Sequence, residues 1–181
     1  MALKATIFKA TLQIADMDRH YYASHALTIA RHPSETDERM MVRLLAFARH
    51  AHEQLAFGKG LSEADEPDLW EKDLTGSIEL WIDVGLPDEK RILKASGRAK
   101  QVAIYSYGGH GAKLWWKAIN PKLARLKNLT VIDLPPPVTQ ALAKLAQRNM
   151  QFNCNTQDGG TWFSSDEETV QVDFVVLQMP S

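Results

Sequence analysis

Hydrophobic and polar positions alternate with a period of two near the start of the chain. The apolar members of this first segment are Phe8, Ala10, Leu12 and Ile14. Residues 15–19 form a polar break, and residues 20–31 then alternate in the same way. A period of two places successive side chains on opposite faces of a strand, so the two segments predict an antiparallel hairpin with one buried face.

A helical period replaces the strand period after Pro33. Ser34 is a suitable N-cap, and the acidic residues that follow it favour a helix start. Apolar residues then recur at helical spacing: Met40, Met41, Leu44, Leu45, Ala48, Ala51 and Leu55. This stripe predicts an amphipathic helix that ends at Gly58 and Gly60. Glu38 lies at the edge of the stripe and is expected to face either the sheet or the solvent.

Strand and helix patterns continue to alternate along the rest of the chain. Strands are predicted at residues 77–84, 102–107, 129–134 and 170–177, and a hairpin at residues 150–164. Helices are predicted at residues 87–96, 112–119 and from the prolines at 135–137 to about 147. This order predicts a mixed α/β fold, with a mixed sheet, hairpins and crossover helices, in a single compact domain over residues 1–181.

The composition is that of a globular protein, with 45% hydrophobic and 24% charged residues in a chain of 181. Cys154 is the only cysteine and cannot form an internal disulfide, which favours a reducing compartment. The first residues lack the continuous apolar core of a signal peptide, and no run approaches the ~18 apolar residues of a membrane helix. We therefore expect a cytoplasmic protein with no membrane partner.

Charge is segregated along the chain, although the net charge is only -1. Residues 61–89 contain ten acidic residues and one lysine, whereas residues 90–132 contain ten Lys or Arg and no acidic residue. A near-neutral protein needs a local basic patch in order to bind nucleic acid. Residues 90–132 are therefore the predicted nucleic-acid-binding segment, with Lys113, Lys117 and Arg125 as contacts. The aromatic residues of this segment could stack on bases, but burial in the core is their simpler interpretation.

Several carboxylates flank the turn predicted at residues 73–76. Glu79 and Asp83 project to one strand face but lie roughly 13 Å apart at ~3.3 Å per residue, too far to share one ion. Asp68 can instead fold back beside Asp83, because neighbouring strands are ~4.8 Å apart. Asp68 and Asp83 are thus the predicted ligands of Mg²⁺ or Mn²⁺, with Glu38 in support and Glu79 peripheral. Ordinary turn and exposed-strand carboxylates are the simpler alternative.

Two lysines follow the carboxylates on the helix predicted at residues 87–96. Lys90 and Lys94 are four residues apart and share a helix face. Lys94 lies farther from the polar first turn, so it is the candidate to hold an attacking water and to offset charge on a phosphate. Lys90 is a peripheral candidate, and a solvated helix face is the simpler interpretation of both lysines.

The spacing Pro67-Asp68, fourteen residues, Asp83-Val84-Gly85 resembles the PD-(D/E)XK nuclease motif. The helix before it and the helix–strand unit after it resemble that fold's order of elements. The whole chain is similar to the YaeQ family through the runs ALKATIFKATLQIAD, LTIARHPSETDERMMVRLLAFA, ELWIDVGLPDEKRILKA and the QDG…W segment near the end. The family implies a compact α/β fold around a restriction-endonuclease-like core variant, and it is loosely associated with transcription elongation control.

Gly85 departs from the motif, since it occupies the position of the motif's lysine. In some nucleases of the fold this lysine lies on the following helix, which would make Lys94 or Lys90 the substitute. Two functions follow. The first is a metal-dependent phosphodiesterase with Asp68, Asp83 and Lys94 as catalytic residues. The second is a non-catalytic protein that binds nucleic acid or the transcription machinery. The carboxylate pair favours the first function, and Gly85 favours the second.

Overall fold

A computed structural model describes residues 4–181, so Ala2 and Leu3 of the first family run lie outside the described residues. The strands are β1 (Thr6–Asp16), β2 (Tyr21–Arg31), β3 (Leu55–Phe57), β4 (Leu69–Lys72), β5 (Ile78–Val84), β6 (Ala99–Tyr107), β7 (Leu129–Leu134), β8 (Asn149–Gln157), β9 (Gly160–Ser164), β10 (Thr169–Val172) and β11 (Val175–Gln178). The helices are α1 (Asp37–Arg49), α2 (Glu89–Arg98), α3 (His110–Leu123) and α4 (Pro136–Ala143). The predicted mixed α/β class is confirmed.

The described chain divides into two compact units, each with its own sheet. The first unit runs to Ala51 and resumes over Pro137–Asp173, and the second comprises His52–Pro136 and Phe174–Ser181. The sheet of the first unit has the order β10-β9-β8-β1-β2, and that of the second has the order β11-β7-β6-β5-β4-β3. Both sheets are mixed, because β1 runs parallel to β8 and the central strands of the second sheet also run parallel.

The hairpin at the start of the chain is confirmed. β1 and β2 pair without interruption from Thr6 opposite Arg31 to Asp16 opposite Tyr21. The alternating apolar residues of β1 are buried, and Leu12 is fully enclosed. Burial of this one face explains why the register is continuous, since a slip by one residue would turn every apolar side chain toward solvent.

Helix α1 is shorter than the apolar stripe predicted. Its N-cap is Thr36, whose hydroxyl accepts a hydrogen bond from the Arg39 backbone N–H at 3.1 Å, whereas Ser34 bonds to His32. The helix ends before His50, and Leu55 begins strand β3 instead of a further helical turn. Apolar residues at the end of the stripe satisfy either period, so strand pairing with β4 decided the outcome.

The second unit is built on three parallel strands, β5, β6 and β7. Helices α2 and α3 are the crossovers between them, and their apolar residues pack in one core with Trp81, Ile104 and Val131. Because the strands run in one direction, their carboxyl ends meet at the same edge of the sheet. Val84, Tyr107 and Leu134 mark that edge.

The last predicted strand, residues 170–177, is two strands in different sheets. β10 pairs with β9 in the first sheet, and β11 pairs with β7 in the second. Hydrophobic alternation specifies a strand but not its partner, which is why the sequence showed no break at Asp173. Helix boundaries also differ, since α2 continues through Gly97 and α3 continues through Pro121.

Within residues 4–181, none of the helices combines the length and the apolar character that crossing a bilayer requires. Cys154 is buried, and burial raises the pKa of its thiol to about 12. The cytoplasmic location stays a prediction.

Candidate functional site

The β4–β5 hairpin brings Asp68 and Asp83 to the same end of two neighbouring strands. Leu69 pairs with Ile82, and the two aspartates are the next residues outward from that pair. The backbone N–H of Asp68 donates to the Ile82 carbonyl at 3.1 Å. One carboxylate oxygen of Asp68, Oδ2, accepts from the Val84 backbone N–H at 2.8 Å. Local strand pairing alone therefore positions the first carboxylate against the end of β5.

Both carboxylates are buried, and Asp83 already has a cationic partner. Asp68 is 3% exposed and Asp83 is 2% exposed. Arg91 of α2 donates to both oxygens of Asp83, from Nε to Oδ2 at 2.7 Å and from Nη2 to Oδ1 at 3.0 Å. A buried carboxylate is costly unless it is paired and hydrogen-bonded, and the guanidinium fork satisfies both conditions.

The remaining donors of Arg91 reach the loop that precedes β4. Nη1 donates to the Ala64 carbonyl at 2.8 Å, and Nη2 donates to the Glu66 carbonyl at 3.0 Å. The Arg91 backbone N–H is itself held by the side chain of Asp88, the N-cap of α2, at 2.8 Å. Arg91 thus bridges Asp83 on β5 and the segment 64–66.

The two predicted lysines do not occupy the position of Arg91. Lys94 Nζ lies 2.7 Å from Oδ1 of Asp65, and both side chains are exposed. Its hydrogen bond and its charge lower the pKa of Asp65. Lys90 is exposed and has no ion pair with any residue in 4–181. Sequence reasoning missed Arg91, although its spacing of three and seven residues from Lys94 and Arg98 was a signal of one shared helix face.

The two supporting carboxylates have partners of their own. Glu79 lies 2.8 Å from Lys100 Nζ at the surface, which raises the pKa of that lysine. Glu38 belongs to the first unit, where it accepts a hydrogen bond from Thr139 Oγ1 at 2.8 Å. The roles assigned to Glu38 and Glu79 stay predictions.

The donor set, as arranged, does not fit a divalent ion. Among residues 4–181, no group of three or more His, Cys, Asp or Glu side chains could hold a metal. Mg²⁺ requires about six oxygen ligands, and carboxylates supply them only when their oxygens are free to coordinate. Both oxygens of Asp83 accept bonds from Arg91 instead. The Mg²⁺ or Mn²⁺ prediction therefore requires Arg91 to leave Asp83.

A positive backbone angle distinguishes position 85, where the nuclease motif that the sequence resembles has a lysine. Gly85 has φ 105°, and its N–H donates to the Tyr105 carbonyl at 2.9 Å. Residues that carry a Cβ rarely adopt this conformation, whereas glycine adopts it freely. The turn that ends β5 thus favours glycine over lysine at position 85.

Gly60 is predicted to be intolerant of substitution because it makes room for Asp68. It has φ 47°, and a Cβ at this position would lie 2.4 Å from Asp68 Oδ1. We expect Gly60→Ala to lower the free energy of unfolding by about 1–3 kcal/mol through backbone strain and displacement of the carboxylate. Urea denaturation measures the change.

Gly97→Ala is the matched control, since Gly97 lies inside α2 with nothing within 4 Å of its Cβ position. Alanine in a helix is favoured over glycine by about 0.5–1 kcal/mol. The control should therefore be neutral or stabilising. Equal destabilisation by both substitutions would contradict the role assigned to Gly60.

Part of the basic segment is paired inside the second unit. Four of its cations contact acidic residues: Arg91 with Asp83, Lys94 with Asp65, Lys100 with Glu79, and Lys122 with Glu89. The charge segregation along the sequence is thus partly resolved by contacts between the acidic and basic segments. Pairing leaves fewer cations available for a ligand than the count in the sequence indicated.

Three cations form what we call the α3 basic segment: Lys113 and Lys117 on α3, and Arg125 just past its end. All three are exposed, and none has an ion pair with any residue that the structure describes. Lys113 and Lys117 are one helical turn apart. The helix also begins at Gly109 without a side-chain cap, so the partial positive charge of its first N–H groups lies at the same end as Lys113.

The aromatic residues near this segment belong to the core. Tyr105 is fully buried, while Trp115 and Trp116 pack against the apolar cluster of the second unit. Trp115 also donates from Nε1 to the Pro87 carbonyl at 2.8 Å. Of the two interpretations of these aromatic residues, burial in the core and stacking on bases, their packing in the structure agrees with the first.

These features define a mixed α/β protein whose second unit contains two buried aspartates and a bound arginine at one end of a sheet. The model of the YaeQ protein family matches residues 1–174, and the chain belongs to the YaeQ family. Two relatives described as uncharacterized protein YaeQ, from Salmonella typhi and Escherichia coli strain K12, are each 44% identical over 181 residues and cover 100% of both chains.

Solved YaeQ structures have the same fold. The crystal structure of YaeQ protein from Xanthomonas axonopodis pv. citri is 50% identical, with a TM-score of 0.94, and the match covers 97% of this chain and 99% of that one. The structure from Pseudomonas syringae is 39% identical, with a TM-score of 0.93 and 97% coverage of both chains. The family resemblance drawn from the four sequence runs is confirmed.

Proposed function

We propose that this protein binds nucleic acid through the α3 basic segment and that it has no catalytic role. The observation that supports this proposal is the exposure of Lys113, Lys117 and Arg125 without an ion pair among the described residues. No acidic residue occurs between residues 90 and 132, so phosphate groups meet no like charge from this stretch of chain. Cations placed in this way bind the nucleic-acid backbone by releasing its condensed counterions.

Because the net charge of the protein is close to zero, the affinity for nucleic acid depends on this local group of cations. At -1, the molecule as a whole does not attract a polyanion, and affinity must come from the patch itself. Three phosphate contacts correspond to a slope of about -2 to -3 in a plot of log K against log salt concentration. The salt dependence of binding is therefore a quantitative signature of the proposed contacts.

Neutralising the three cations is predicted to weaken binding by at least about tenfold at ~0.1 M salt and to reduce the salt slope by two to three. The variant is Lys113→Gln, Lys117→Gln and Arg125→Gln combined, measured by fluorescence anisotropy with single- and double-stranded DNA and RNA. The control variant combines Lys4→Gln, Lys9→Gln and Lys144→Gln, which removes the same charge from exposed sites of the first unit.

Equal loss of nucleic-acid affinity in both variants would show that only total charge matters. Unchanged affinity in the first variant would contradict the proposed contacts of Lys113, Lys117 and Arg125. The comparison among the four probes also decides between DNA and RNA. A role with the transcription machinery is a further proposal that the family resemblance alone supports.

A metal-dependent phosphodiesterase is the second candidate function. The placement of Asp68 and Asp83 at the end of one hairpin favours it, and the order α1, β3–β5, α2, β6 agrees with the order that the PD-(D/E)XK resemblance implies. It requires Arg91 to release Asp83 and Lys94 to release Asp65. A screen for Mg²⁺- or Mn²⁺-dependent cleavage of the four probes, with Asp68→Ala as control, tests it.

A further inference from the structure

Arg91 and Asp83 form a complete cation–carboxylate contact in the place where the sequence predicted a metal ion. Two parallel hydrogen bonds of 2.7 and 3.0 Å join the guanidinium to both oxygens of a carboxylate that is 2% exposed. The planar fork of arginine matches a carboxylate in a way that lysine cannot. We infer that Arg91 is the resident cation of this site and that Asp83 takes a guanidinium instead of a divalent metal ion.

The surroundings of Arg91 prevent it from leaving easily. Its side chain also donates to the carbonyls of Ala64 and Glu66, so all three guanidinium nitrogens are engaged. The guanidinium carbon lies 5.8 Å from the ring centre of Trp81, which is itself buried. If Arg91 left the site, its two hydrogen bonds to Asp83 and its two hydrogen bonds to backbone carbonyls would break together. Each is charge-assisted and roughly twice as strong as a neutral hydrogen bond.

Other residues of α2 hold the same loop in place. Arg98 Nη1 donates to the Asp65 carbonyl at 2.8 Å, and Lys94 pairs with the Asp65 side chain at 2.7 Å. Arg91, Lys94 and Arg98 are three and four residues apart, so one helix face carries all three cations. This face fixes the segment 64–66, and the loop in turn supplies acceptors that keep Arg91 against Asp83.

A divalent ion gains too little at this site to displace Arg91. Asp68 Oδ2 accepts a bond from the Val84 N–H, and Asp83 would have to exchange two charge-assisted bonds for coordination. Mg²⁺ dehydrates reluctantly and binds through one or two carboxylates with the help of waters and phosphates. The pair Arg91 and Asp83 thus acts as a structural crosslink among β5, α2 and the segment 64–66, independently of whether the α3 basic segment binds nucleic acid.

The test is a Mn²⁺ titration at constant ionic strength, in which free Mn²⁺ is measured by electron paramagnetic resonance. The unmodified protein and Asp83→Asn should bind Mn²⁺ equally and weakly. Arg91→Met should bind Mn²⁺ at least tenfold more tightly than the unmodified protein, and Asp83→Asn in the Arg91→Met background should abolish the gain. Arg98→Met, which loses a contact to the loop but none to Asp83, is the control and should show no gain.

Two results would overturn the inference. The first is Mn²⁺ binding by the unmodified protein that Asp83→Asn weakens tenfold, which would instead support the phosphodiesterase. The second is a folded Arg91→Met variant without any gain, because the carboxylates would then form no cation site at all. Should Arg91→Met fail to fold by circular dichroism, the comparison of the unmodified protein with Asp83→Asn decides. Neither measurement depends on nucleic-acid binding.

Discussion

Arg91→Met is expected to lower the free energy of unfolding by about 3–5 kcal/mol at neutral pH. The substitution leaves Asp83, which is 2% exposed, without a counter-charge in a buried position. It also removes the donors to the Ala64 and Glu66 carbonyls. A buried carboxylate that loses its cationic partner carries its full desolvation penalty, which is the main part of the expected loss.

The converse substitution, Asp83→Asn, should cost less, about 1–3 kcal/mol. The Arg91 side chain is 27% exposed, so its charge reaches water when the carboxylate is removed. Its two backbone acceptors also remain. The order of effects, with arginine removal worse than aspartate removal, distinguishes a buried carboxylate from a simple surface ion pair.

Urea denaturation at pH 7 measures both losses, with Arg98→Met as the control. Arg98 donates one hydrogen bond to the same loop and lies 5.0 Å from the ring centre of Trp81, but it does not touch Asp83. Its loss should therefore stay at about 1–2 kcal/mol. Equal effects of Arg91→Met and Arg98→Met would argue against a central role for the Asp83 contact. A larger loss of stability for Asp83→Asn than for Arg91→Met would contradict the argument that Asp83 is the more deeply buried partner of the pair.

Stability is also expected to fall as the pH is lowered from about 6.5, because of His50. Burial lowers the pKa of this histidine to about 3, with Arg49 and Arg19 adding to the shift and Asp16 opposing it. The unfolded chain takes up a proton near pH 6.5, whereas the folded protein does not until near pH 3. The stabilisation is therefore complete above pH 6.5 and is lost progressively below it.

The size of this effect follows from the pKa difference. Each pH unit below 6.5 costs about 1.4 kcal/mol, so about 2–3 kcal/mol is expected between pH 6.5 and 4.5. His50 keeps partial contact with solvent, which favours the lower figure. Other groups titrate in the same range, and a variant is needed to isolate the contribution of His50.

His50→Gln isolates it. The difference in the free energy of unfolding between this variant and the unmodified protein should shrink by about 2 kcal/mol from pH 7 to pH 4.5, because glutamine does not titrate. His52→Gln serves as control, since the side chain of His52 is 48% exposed. A constant difference across this pH range would contradict the assignment to His50.

Local periodicity was sufficient to predict the hairpin of β1 and β2, strand β7 and the hairpin of β8 and β9. In β1, β8 and β9 one face is buried, so the alternation in the sequence matches the burial in the structure. Strand β7 is a short apolar run with buried residues on both faces. The end of α1 and the last strand were wrong in their bounds. At both places the deciding factor was pairing with a distant strand, which no local pattern contains.

The candidate site shows the same division. The spacing around the turn at residues 73–76 was enough to place Asp68 and Asp83 on neighbouring strands. Which basic residue meets Asp83 depended on the phase of α2, since a helix turns about 100° per residue. The N-cap at Asp88 sets that phase and directs Arg91 to the carboxylate and Lys94 to Asp65.

The sequence by itself determined the family, the mixed α/β class and the two aspartates, because these follow from runs, periods and spacings along the chain. Only the tertiary structure decided that the chain divides into two units, that Gly85 has a positive φ, and that four cations of the basic segment are paired internally. It also decided the partner of Asp83. The physical reason is that charge pairing and burial depend on distances between residues far apart in sequence, which one-dimensional patterns do not specify.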